Sequence, residues 1–123
     1  MATIITSDYA SILANNLQGK YIALIRQDGT EVSGGGYQRQ PLPALNVSSD
    51  ANNFYLKNSA DITFPQAIND WATVSNLISK IKIYDANNNL LITVDLLTPK
   101  PCYQGDILIF YTNSITITIP ITT

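Results

Sequence analysis

Glu31, Tyr37 and Arg39 flank three consecutive glycines in the run Thr30 to Gln40, which reads Thr-Glu-Val-Ser-Gly-Gly-Gly-Tyr-Gln-Arg-Gln. A carboxylate and a guanidinium at this spacing can pair if the chain between them turns sharply. Gly34, Gly35 and Gly36 allow that turn, because glycine takes positive φ and permits close backbone approach. Tyr37 is then left to pack and Arg39 to pair, with Glu31 as its natural partner. Ser33 beside the glycines invites a nucleophile or phosphate-loop reading. Neither a Gly-x-Ser-x-Gly elbow nor a Gly-Lys-[Ser/Thr] sequence is present, so a packed structural loop is the better account.

The other residues that could carry chemistry are few. The chain has no histidine, which removes the commonest general base, the Ser-His and Cys-His pairs and the commonest zinc ligand. Asp85-Ala86-Asn87-Asn88-Asn89 has the alternating oxygens of a calcium loop, yet its sixth position is Leu90 and its twelfth Leu96, where glycine and glutamate are needed. A hairpin turn fits better. Glu31 and the eight aspartates show no pairing pattern for glycoside cleavage. Cys102 lacks a histidine or a Cys-x-x-Cys partner and reads as a half-buried thiol. Trp71 falls on an apolar stripe and reads as a core anchor. Tyr37, Tyr55, Tyr103 and Tyr111 can serve as sugar platforms or protein contacts if exposed, and Tyr37 divides between core and subunit interface. The expectation is a protein that is no enzyme and holds no metal or cofactor.

Composition narrows the partners. Of the 123 residues 46% are hydrophobic and only 13% charged, about half the usual charged share. Such a surface, built of Asn, Thr, Ser and Gln, repels its neighbours weakly and favours permanent assembly. Net charge is −2, and Lys20, Arg26, Arg39, Lys57, Lys80, Lys82 and Lys100 are scattered, so no basic stripe exists to neutralise phosphates and nucleic acid is excluded as a partner. No apolar run reaches the ~20 residues of a membrane span. A lone cysteine forms no internal disulfide, and the first charged residue, Asp8, offers no basic start to a signal peptide. Synthesis in a reducing cytosol as one complete domain, residues 1–123, is expected.

The elements that must position these residues are mostly strands. Ser7 to Leu17 predicts a helix with Ser7 as N-cap, Tyr9, Ile12, Leu13 and Leu17 as its core stripe and Gly19 as its stop. Lys20 to Arg26 predicts a buried strand closed by a turn at Asp28-Gly29. Leu45–Val47 and Phe54–Leu56 predict short strands, and Asp61–Phe64 another, stopped by Pro65. Ile68, Trp71, Val74 and Leu77 recur near helical spacing and suggest a short helix in part of that segment. Lys80–Tyr84 and Leu90–Leu96 predict a hairpin, and Ile107–Tyr111 with Ile115–Ile121 a second one across Thr112-Asn113-Ser114. In the last strand Ile115, Ile117, Ile119 and Ile121 share one face. Pro120 removes a ladder donor, which puts that end at an edge or against another subunit. The fold class is mainly β, an antiparallel β-sandwich or jelly-roll with one short N-terminal helix.

The glycine segment, followed in order by Phe64-Pro65, Asp70-Trp71, Thr73-Val74, Ile83-Tyr84-Asp85-Ala86, Leu90-Leu91 and Gly105-Asp106, resembles a family of small structural proteins of tailed bacteriophages, described as tail-fibre-like or minor virion proteins. The resemblance runs from about residue 8 to the C-terminus. Two departures stand out: Ser75 to Lys80 is longer than expected, and Asn89 stands where glycine is usual. The resemblance implies a non-enzymatic virion protein assembled in the host bacterial cytoplasm and working as a homo-oligomer, a trimer by the habit of such proteins. With no repeat or coiled coil to give a shaft, capsid decoration or cement on the major capsid protein is the first reading. A tail or fibre-tip module is the alternative, and a carbohydrate-binding module using surface tyrosines the third. The expected subunit contact lies at Tyr37 and the last strand, with Ile115, Ile117, Ile119 and Pro120.

Overall fold

Four consecutive apolar residues, Ile22 to Ile25, require a strand covered on both faces, and the rest of the fold is arranged to cover it. The computed structural model describes residues 3–122. One helix, α1 (Ser7–Leu17), precedes nine strands: β1 (Tyr21–Arg26), β2 (Gln40–Pro41), β3 (Leu45–Ser49), β4 (Asn53–Asn58), β5 (Ile62–Thr63), β6 (Ile78–Tyr84), β7 (Leu90–Lys100), β8 (Ile109–Phe110) and β9 (Thr116–Pro120). Every strand pairing is antiparallel. The sheets run β2-β1-β6-β7, β3-β4-β9 and β5-β8. The chain is therefore mainly β with a short N-terminal helix. Ile22, Ala23, Leu24 and Ile25 are all buried, as a central strand demands.

One buried cluster draws on α1, all three sheets and the loops between them, including Leu17, Leu24, Leu56, Phe64, Trp71, Ile83, Phe110 and Ile117. The alternation of Ile and Lys in β6 puts Ile81 and Ile83 inward, each worth roughly 1.5–3 kcal/mol when fully buried. Ile83 stands opposite Ile22 on β1 and Ile92 on β7.

Several expectations are corrected. The helix keeps its predicted bounds, but its cap is Thr6, whose hydroxyl accepts from the Tyr9 amide at 3.4 Å, and Ser7 is the first helical residue. Its buried stripe is Ala10, Ala14 and Leu17 with Leu13 beside them, while Tyr9 and Ile12 are exposed. Two alanines let the helix lie close on β3 and β4, a fit that larger side chains would prevent. Residues 68–77 form no helix. Ile68 and Val74 are exposed, and the backbone is instead tied across the chain: Trp71 and Ala72 donate to the Cys102 carbonyl at 2.8 and 3.1 Å, and Cys102 donates to Ala72 at 2.8 Å.

Residues 107–121 do not close into a hairpin. β8 pairs with β5, and β9 with β4. The divergence is fixed by Asn58, wholly buried at the end of β4. Its Nδ2 donates to the Ala60 and Tyr111 carbonyls, both at 2.9 Å, and its Oδ1 accepts from the Ile115 amide at 2.9 Å. The turn between β8 and β9 is thereby held by β4 instead of by strand pairing.

The isoleucine alternation in β9 holds, and its inward face serves this chain's own core: Ile115 and Ile117 are buried and Ile119 packs beside them. Those side chains leave little for a second subunit to touch. β9 is an edge strand, and Ile121 donates to the Asn52 carbonyl. Antiparallel alternation therefore turns the backbone of Thr116, Thr118 and Pro120 outward, with Pro120 removing one donor from the open edge.

Candidate functional site

The glycine segment leaves β1 through the turn at Asp28-Gly29, where the Asp28 carboxylate accepts from the Thr30 amide at 2.9 Å and Gly29 has φ +89°. Gly34, Gly35 and Gly36 then follow one another at φ +68°, +58° and +81°. Three successive left-handed residues would cost any other side chain about 1–2 kcal/mol apiece. The shape is fixed from outside. The Gly35 carbonyl accepts from the Trp71 indole Nε1 at 3.0 Å and from the Ile68 amide at 2.9 Å. A Cβ on Gly35 would collide with the Asn69 side chain and come within 3.1 Å of the Trp71 nitrogen. The loop is the lid over Trp71, which is 1% exposed.

Tyr37 completes the lid. Its ring lies parallel to Phe64 at a centroid distance of 6.3 Å and meets Trp71 edge-on at 5.6 Å. Its hydroxyl accepts from the Leu24 amide at 3.0 Å and donates to Glu31 Oε2 at 2.7 Å. Leu24 lies beyond the two residues of β1 that pair with β2, so the phenol satisfies a strand donor that has no strand partner.

Glu31 and Arg39 form the predicted pair in bidentate geometry, Nη2 to Oε1 at 2.9 Å and Nε to Oε2 at 3.0 Å. Arg39 Nη1 also donates to Asn88 Oδ1 at 2.7 Å, and its guanidinium lies over the Tyr84 ring at 4.1 Å. Asn88, at φ +62°, is the left-handed residue of the β6–β7 turn. That turn is tied by Asp85, whose carboxylate accepts from the Asn87 and Asn89 amides, both at 2.9 Å. The clamp thus joins the glycine loop, β1 and the β6–β7 hairpin. Asn88 and Tyr84 escaped sequence reasoning, since neither residue type nor spacing marks a partner 49 positions away.

The electrostatics are those of a fixed clamp. The Arg39 hydrogen bonds hold the Glu31 carboxyl below its ordinary range against the opposing effect of burial. Burial, then the Glu31 carboxylate, pushes the Tyr37 phenol well above its ordinary value, and the Glu31 hydrogen bond raises Arg39 further. At neutral pH the carboxylate is ionised and the phenol protonated, each engaged by the other. No nucleophile stands among them.

The other candidates lie apart. Ser33 is exposed. Cys102 is buried, and burial followed by the Asp106 and Asp70 charges pushes its thiol up to about 11, which makes it a poor nucleophile. Tyr55 donates to Asp50 Oδ2 at 2.6 Å, the Tyr103 hydroxyl accepts from the Val74 amide, and Tyr111 is exposed after β8. Among the described residues none of these three rings stacks on another aromatic side chain. Nor does any group of three His, Cys, Asp or Glu among those residues converge as metal ligands, and no helix among them is long and apolar enough to cross a membrane.

The family model of the podophage GP4 fiber I protein gp80 matches residues 23–118, a span that contains the whole clamp, Trp71 and most of β9. The chain belongs to this fibre protein family. No curated protein and no solved structure matches it. Membership makes it a structural phage protein and a virion component, and it favours the fibre over capsid decoration. Within the fibre-family chain the glycine loop is a scaffold device: all three functional groups of the clamp are engaged by one another, by Asn88 or by the backbone.

Proposed function

We propose that this chain is a non-enzymatic structural module of the phage tail fibre, acting as an assembly of identical copies. The observation that carries the reading is the fibre-family match over residues 23–118. The clamp supports it, since Glu31, Tyr37 and Arg39 hold one another and the neighbouring hairpin in place of a substrate. Capsid decoration, first read from the lack of a repeat or coiled coil, is not retained as the leading reading, because the matched family is one of fibre proteins.

Quantitative mass spectrometry of purified virions, together with gold-labelled antibody against the chain, tests the assignment. The tail-fibre reading expects a handful of copies per particle and label at the tail. Hundreds of copies with label over the head would replace it with decoration.

A further inference from the structure

The edge of β7 carries a side chain that this fold leaves without a partner. β7 pairs with β6 at Lys80↔Asp95 and again at Ile78↔Lys100, so Leu96 to Pro99 stand opposite Ser79 alone. The extra length bows the strand outward. Leu97 at the crest is 101% exposed, although a bulge and a proline already protect the edge against uncontrolled strand pairing. Protecting the backbone edge does not account for a leucine held in water.

A matching recess exists elsewhere on the same chain. Between α1 and the β6–β7 hairpin lies an open groove of about 590 Å³, with Leu13, Leu17, Leu91 and Ile92 on its apolar walls and Lys20 and Asp85 at its rim. Leu97 cannot enter its own groove, because Leu91 and Leu97 belong to one extended strand and stand roughly 20 Å apart at ~3.3 Å per residue. The charges are complementary. The groove offers a base and an acid, Lys20 and Asp85, and the Leu97 segment carries an acid and a base, Asp95 and Lys100. Among the described residues the ion pairs are Arg39–Glu31 and Lys80–Asp95, so Lys20 and Lys100 are in none. Asp95 meets Lys80 at 2.6 Å through Oδ1 in an exposed pair, and its Oδ2 stays open to a second cation.

We propose that Leu97 of one copy seats in the α1–hairpin groove of a second copy, with Asp95 facing Lys20 and Lys100 facing Asp85. Knob and groove are different surfaces of one chain, so the contact is head-to-tail and each copy can both give and receive. The inference rests on the reading of the chain as an assembly of identical copies. It also moves the contact from the β9 isoleucines, which fill the core, to β7.

The test uses light scattering at micromolar concentration on the whole chain. Wild type is expected above the 13.5 kDa of one copy. Leu97→Asp, which removes the knob, and Leu91→Asp, which spoils the groove, are each expected at 13.5 kDa with an unchanged melting temperature for Leu97→Asp. Mixed in equal amounts, the two variants retain one intact knob and one intact groove and are expected to form a heterodimer of twice that mass. Lys20→Asp should weaken assembly at least tenfold, and adding Asp95→Lys should restore most of it. An assembled wild type whose mass Leu97→Asp leaves unchanged overturns the knob while sparing the assembly reading. A wild type that stays at 13.5 kDa at every concentration overturns both.

Discussion

The glycine loop and the β7 edge are two ways of treating exposed, irregular backbone. In the loop, three left-handed glycines, a carboxylate, a phenol and a guanidinium lie within ten residues, and each functional group has a partner inside the chain. Along β7, the strand bows away from its neighbour, Leu97 stands in water, and Leu90 and Leu91 are exposed. Backbone held in an unfavourable shape persists where the surroundings over-determine it, and the loop meets that condition. The fully exposed Leu97 on that open edge is the apolar surface that the proposed head-to-tail contact would cover. The contrast assigns stability to the loop and leaves the edge as the place of the proposed association.

The largest expected effect is on the loop's floor. Trp71→Ala removes the ring that the Gly35 carbonyl and Tyr37 both contact, and chemical denaturation should show a loss of about 3–5 kcal/mol. Gly35→Val should follow at about 2–3 kcal/mol, because a β-branched residue must take positive φ and displace Asn69. Gly29→Val is a control for this comparison: its added Cβ meets nothing within 4 Å, so only the φ cost remains, and a loss equal to that of Gly35→Val would show that the lid contact is unimportant. A double-mutant cycle on Glu31 and Arg39 should give a smaller coupling, about 0.5–1 kcal/mol, since both side chains are 28% exposed and such pairs are partly screened.

Stability against pH sharpens the same contrast. Glu31 is depressed in the folded state, so its contribution is present above its ordinary value of 4.5 and is lost as pH falls through the lower folded value. Tyr37 is raised, so its contribution is whole below its ordinary value of 10.0 and declines as pH rises above it, where the unfolded chain ionises first. Thermal melts should therefore show a wild-type plateau that ends on the acid side below 4.5 and on the alkaline side near 9.0, where the unfolded chain's Cys102 thiol ionises ahead of the buried one and Tyr37 follows. The Glu31→Gln variant should lose part of the acid-side slope, and Tyr37→Phe part of the alkaline one.

Much of the loop was legible from residue types alone. The Glu31–Arg39 pair, the glycine turn, Trp71 as an anchor and the β6–β7 hairpin follow from local patterns, and the structure contains each of them. Non-local contacts hid the rest. Apolar spacing over Ile68, Trp71, Val74 and Leu77 mimics a helix, but the backbone of Trp71 and Ala72 is bonded to Cys102. Two neighbouring strands across a polar turn look like a hairpin, but the buried Asn58 side chain sends them to different sheets. In α1 the bulky residues suggested the wrong face, because close packing on a sheet selected the alanines. The apolar alternation of β9 was plain, while its direction, into this chain's own core, depended on which sheet received it.

Amide hydrogen exchange on assembled wild type and on the Leu97→Asp variant tests the division between scaffold and contact most directly. The account predicts that the amides of Gly34 to Arg39 exchange at the same rate in both samples, whereas those from Leu90 to Lys100 and around Lys20 are slowed only in the assembled wild type. Added protection confined to the glycine loop, with β7 exchanging alike in the two samples, would contradict it.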